Sequence, residues 1–119
     1  MRSIISLCLG AIAVLGTATA AQARFGAIYY SGSGAFGWAN NYDTREIAEA
    51  MAFRACAQHA NDCYLAVWVQ NQCASLARAS NNAAGWAWGT DQGHVNAQAL
   101  VECSARGNNC QVVASICAS

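Results

Sequence analysis

The chain has 119 residues with six basic and six acidic side chains, so its formal charge is zero and only 10% of it is charged. It contains no lysine and no basic stripe, which argues against a nucleic-acid partner. Seven cysteines and no proline complete the outline.

Residues 1–23 read as a secretory signal peptide. Met1-Arg2-Ser3 is a short positive start and Ile4 to Gly16 is apolar but too short to span a bilayer. Ala21-Gln22-Ala23 is a small-x-small cleavage site, placing the cut before Arg24. Leu7 is too bulky for lipidation at Cys8, and no second long apolar run follows, so no membrane span is expected after cleavage. Removing 23 of 119 residues leaves a single domain, 24–119, with five arginines against six acids. A domain of that size buries only about 60–65% of its unfolded surface and needs staples. Cys56, Cys63, Cys73, Cys103, Cys110 and Cys117 remain, and an even number in an exported chain reads as disulfides. The expected location is secreted or periplasmic.

Phe25 to Tyr30 and Ala35 to Ala39 are aromatic-rich runs joined by Ser31-Gly-Ser-Gly34, which predicts a β-hairpin. Gly32-Ser-Gly-Ala-Phe-Gly37 also fits the G-x-G-x-x-G pattern. That pattern needs a helix opening at its glycines so that backbone N–H groups meet a pyrophosphate, whereas Phe36-Gly-Trp38 continues as a strand. No cofactor is therefore expected.

The next stretch occurs twice. Asp43 to Cys56, six residues and then Cys63 to Val69 return as Thr90 to Cys103, six residues and then Cys110 to Ile116. Ala50, Ala52, Phe53, Cys56 and Cys63 answer to Ala97, Ala99, Leu100, Cys103 and Cys110, each 47 positions on. Each copy predicts a helix, a cysteine-closed loop and a strand. Asp43 with Glu46 forms a capping-box pattern, with Thr44 the alternative cap. Ala48, Ala52, Phe53 and Cys56 share one side of the first helix; Val95, Ala99, Leu100 and Cys103 share one side of the second. Strict alternation after Cys63 puts Leu65, Val67 and Val69 toward the helix and Tyr64, Ala66 and Trp68 away from it. Cys73 to Ala79 and Ala84 to Gly89 predict a second hairpin, in which Gly85-Trp86 answers Gly37-Trp38 one residue out of the later register. The chain thus reads as β-β-α-β twice, about 25–72 and 73–117. The expected fold is α+β: one antiparallel or mixed sheet with two helices on one face.

Six cysteines allow 15 pairings. The shared spacing selects Cys56–Cys63 and Cys103–Cys110, leaving Cys73–Cys117, which is expected to tie the two halves together. Zinc is disfavoured, because structural sites space their cysteines two to four apart.

Candidates for chemistry are few. His59 with Asp62, or Asp91 with His94, could form a base and its orienter. Their counterparts in the other copy do not match: Arg106 and Asn109 answer His59 and Asp62. There is no G-x-S-x-G elbow and no H-E-x-x-H, so no catalytic or metal site is expected. Tyr64 and Trp68, on the predicted outward face, are the candidate binding face, while Trp86 and Trp88 are read as core.

Gly26-Ala-Ile-Tyr-Tyr-Ser31, Gly34-Ala-Phe-Gly-Trp38, Ala50-x-x-x-x-Ala-Cys56, Val67-Trp68 with Asn71-x-Cys73, Gly85-Trp86 and Val112-Val-Ala-Ser-Ile-Cys117 together resemble a family of small exported bacterial proteins, the domain of unknown function four-one-eight-nine. The resemblance covers Phe25 to Cys117. It implies the doubled α+β fold and export, and it brings no catalytic residue, cofactor or substrate. Members often carry proline after the serine of the first hairpin; this chain does not. The expected function is a small, monomeric, non-catalytic binding module for a protein, peptide or glycan. The alternative is a small secreted hydrolase using a His/Asp pair.

Overall fold

The computed structural model describes residues 22–119. The predicted signal peptide lies outside the described residues except for Gln22 and Ala23. The elements in order are β1 (Phe25–Tyr30), β2 (Phe36–Tyr42), α1 (Arg45–Ala57), β3 (Tyr64–Gln70), β4 (Cys73–Arg78), β5 (Ala84–Gly89), α2 (Gln92–Ser104) and β6 (Gln111–Cys117).

The class is α+β, but the single sheet expected from the sequence is replaced by two. One three-stranded antiparallel sheet has the order β2-β1-β3 and the other β5-β4-β6. The two sheets lie face to face, and each carries its own helix on its outer side, so the helices do not share a face. The reason lies in the central strands, which are apolar on both sides. Ile28 and Tyr30 face the opposite sheet, whereas Ala27 lies under α1; in the second half Ala74 and Leu76 face inward and Ala77 lies under α2. A strand buried on both faces needs a layer on each side.

The inner core draws on both sheets: Ile28, Tyr30, Val67 and Val69 from one, and Ala74, Leu76, Ala84, Ala114 and Ile116 from the other. Two polar contacts cross it in matching fashion. Tyr30 Oη donates to the Asn82 carbonyl at 2.8 Å, and the Arg78 guanidinium donates to the Gly34 carbonyl at 2.8 Å. The last residue of each central strand thus reaches the hairpin turn of the other half.

Each helix lies unusually close to its sheet. α1 buries Ala48, Ala52 and Cys56; α2 buries Val95, Ala99 and Cys103. Beneath them sit Gly37 and Gly85. A Cβ at Gly37 would come within 2.2 Å of the Cys56 backbone nitrogen, and one at Gly85 within 2.1 Å of that of Cys103. Phe25, Tyr29 and Tyr42 pack beside the alanines of α1, whereas Phe53 of the helix is 44% exposed, touching Tyr29 edge-on. Thr44, not Asp43, caps α1 by accepting from the Ile47 amide, while Asp43 pairs with Arg24. Asp91 caps α2, accepting from the amides of Gly93 and His94.

Disulfides join Cys56 to Cys63, Cys103 to Cys110 and Cys73 to Cys117. The third does not tie the halves together. Cys73 opens β4 and Cys117 ends β6, and the two are direct partners across neighbouring strands, so this bridge closes the second sheet alone. Their counterparts in the first sheet, Phe25 and Gln70, are partners without a bridge.

Candidate functional site

The strand β3 departs from strict alternation, and this decides what its aromatic residues do. The ladder to β1 pairs Ile28 with Val67 but Tyr29 with Leu65, leaving Ala66 as a bulge. One extra residue reverses the sense of alternation beyond it. Leu65 therefore meets the helix side, whereas Val67 and Val69 turn into the core between the sheets. The matching irregularity in β6 falls at Val113, between the pairs Leu76–Ala114 and Ala77–Val112.

Tyr64 and Trp68 consequently lie on opposite faces of β3, contrary to the shared face expected from the sequence. Tyr64 pairs with Tyr30 and sits edge-on to Trp86, with ring centroids 6.3 Å apart, at the seam between the sheets. Burial raises the Tyr64 hydroxyl pKa above its usual value, opposed by the nearby Arg106 charge. Trp68 pairs with Ala27 on the helix side, where the Arg45 guanidinium lies 4.0 Å from its ring centroid and Phe25 stacks at 6.5 Å. Arg45 is held there by Glu49 one helical turn on. Trp68 keeps 38% of its surface exposed.

Trp86 and Trp88 share a face of β5 but separate in environment. Trp86 packs against the inner core; Trp88, read from the sequence as core, is 62% exposed at the end of the strand. It projects beside the outer edge of β3. Between them runs an open groove of about 630 Å³ lined by Ala66, Val67, Trp68, Val69, Gln70, Gln72 and Trp88. Five consecutive residues of one edge strand form its floor, with one tryptophan on each side. None of its lining residues is charged. Sequence reasoning missed it because Trp68 and Trp88 belong to different halves, and only the stacking of the sheets brings them together.

Neither His–Asp pair assembles. The Asp91 carboxylate is taken up by backbone amides at the start of α2. Asp62 accepts from the buried Ser31 hydroxyl, which also meets Ser33. His59 is exposed in the loop after α1, and His94 lines a separate shallow groove with Trp86, Trp88, Gln98 and Glu102. Among the described residues there is no group of three or more His, Cys, Asp or Glu side chains placed to hold a metal ion, and no helix long and apolar enough to cross a membrane.

The family described as domain of unknown function (DUF4189) matches residues 25–117, and the chain belongs to that family. No curated protein and no solved structure gives a significant match.

Proposed function

We propose that residues 24–119 form an exported binding module, made of two copies of one β-β-α-β unit, that acts by holding a partner in the groove between Trp68 and Trp88. The observation that carries this reading is the groove itself: an uncharged channel with an exposed indole on each side. Large aromatic side chains left accessible on a small domain are costly unless something covers them, and tryptophan is enriched where binding energy concentrates. Three disulfides support export to an oxidising compartment, secreted or periplasmic. The module is read as monomeric and non-catalytic. A hydrolase built on His59 with Asp62, or on His94 with Asp91, has less support, because both carboxylates are engaged elsewhere.

The test is capture from envelope extract by the exported chain and by Trp68→Ala. Trp68 is only partly buried, so its removal should cost less than the ~3–5 kcal/mol of a fully buried aromatic. Capture of the partner should fall at least tenfold. Undiminished capture by the folded variant would refute the groove as the binding site.

A further inference from the structure

The two seams between the sheets differ, and the difference points to an occupant. On one side β2 lies beside β6; on the other β5 lies beside β3. Asn40 of β2 and Trp88 of β5 hold corresponding places, three residues after Gly37 and Gly85. On the β2 side the Asn40 side-chain amide donates to the Cys117 carbonyl at 2.8 Å, and Asn41 Oδ1 accepts from the Ser119 amide at 3.0 Å. These bonds lace the edge of β6 to its neighbour. On the β5 side the residue corresponding to Cys117 is Gln70, and the one facing it is Trp88. Among the described residues Trp88 makes no hydrogen bond to Gln70. Trp88 is exposed and lines the open groove.

The floor of that groove is a strand edge. Among the described residues β3 ends its sheet and pairs only with β1, so its outer row of N–H and C=O groups has no strand partner among them. Tyr64 against Trp86 closes the seam at one end; beyond it the groove runs along Ala66 to Gln70, where Val67 and Val69 turn inward and are buried while Trp68 and Gln70 are exposed. An unpaired edge selects its own ligand chemistry, because only another extended backbone matches its alternating donors and acceptors. Five residues at about 3.4 Å each set the length at about 17 Å.

We propose that an extended, uncharged polypeptide segment of about five residues adds to β3 as a fourth strand, with its side chains alternating between the Trp68 side and the Trp88 side. The lining residues are uncharged and the Arg45 guanidinium over Trp68 is already paired with Glu49, which argues for uncharged side chains in the segment, since a charge there would be left without a partner. This rests on the groove being the binding site, and it names the class of ligand.

The probe is the peptide most enriched when a random decapeptide phage library is panned on the exported chain. The enriched sequences should be uncharged over a stretch of about five residues. Methylating backbone nitrogens at alternate positions of the synthetic peptide should weaken binding at least tenfold in one phase and little in the other. Amides within 66–70 should exchange at least tenfold more slowly in the complex. Trp88→Asn, which gives this seam the amide that Asn40 gives the other, should close the groove and weaken peptide binding at least tenfold without lowering the unfolding midpoint. Indifference to backbone methylation, protection of 111–117 in place of 66–70, or a chain dimer that protects β3 without peptide would each overturn the inference. If no peptide is enriched while envelope capture still depends on Trp68, the strand-addition inference fails and the binding groove stands. If Trp68→Ala leaves envelope capture unchanged, the groove itself fails.

Discussion

Gly37 and Gly85 set the spacing between helix and sheet. Each lies where a single methyl group would strike helix backbone, at 2.2 and 2.1 Å, and backbone cannot rotate aside as a flexible side chain can. Substituting alanine must lift the helix from the sheet, stretching its alanine contacts and straining the adjoining cysteine loop. Gly85→Ala should therefore cost about 3 kcal/mol or more, the upper range for overpacking. Gly32→Ala, where an added Cβ meets nothing within 4 Å, should change stability little. Denaturant unfolding of the two variants checks this; equal midpoints would mean the helices are not held at glycine distance. Asn41 accounts for another single-residue feature. Its φ of 64° and the register shift between Phe25 and Ala27 mark an extra residue in the first half, which is the one-position slip between the Gly-Trp pairs and the helices in sequence.

The elements differ in how they are stapled. Cys56–Cys63 and Cys103–Cys110 each close a short loop, with a sequence separation of 7, between a helix end and the following strand. Cys73–Cys117 spans 44 residues and holds the first strand of the second sheet to its last. In the chain-entropy picture the short bridges contribute about 2.5 kcal/mol each and the long one about 4. Cys73→Ser should thus destabilise more than Cys56→Ser. The loss should appear as a lower unfolding midpoint, with the contacts between the halves retained in the folded state. Equal midpoints for Cys73→Ser and Cys56→Ser would contradict the loop-length argument.

At the scale of the molecule, neither half has a complete core. The inner faces of the two sheets supply each other's apolar cover, and Tyr30 and Arg78 each find their backbone acceptors in the opposite half. A half alone would expose Ile28, Tyr30, Val67 and Val69, and its helix would cover only the other face of the sheet. Residues 24–72 expressed as a separate chain should lack a cooperative thermal transition and dispersed amide resonances, even with Cys56–Cys63 formed. A folded isolated half would contradict the shared core. The full domain should unfold in one step, as small single-core domains do.

The sequence by itself determined the elements and their order. Helical spacing of small residues, Gly/Ser/Asn turns and the repeated cysteine spacing are local signals, and they survive in α1, α2 and the two hairpins. The family was legible for the same reason, because its motifs are short and fall in a fixed order. What the tertiary structure decided was every relation between faces. One sheet or two depends on whether the central strands are covered on both sides, and alternation alone does not say what covers them. The bulge at Ala66 costs one residue of register and sends Val67 and Val69 away from the helix, although nothing in Tyr64-Leu-Ala-Val-Trp-Val69 marks Ala66 as the extra residue. The destination of the Cys73–Cys117 bridge depended on β4 pairing with β6 rather than lying beside β3. The groove between Trp68 and Trp88 exists only because two sheets, each with an open edge, stack with β3 beside β5, and that contact joins residues 20 positions apart that no local pattern connects.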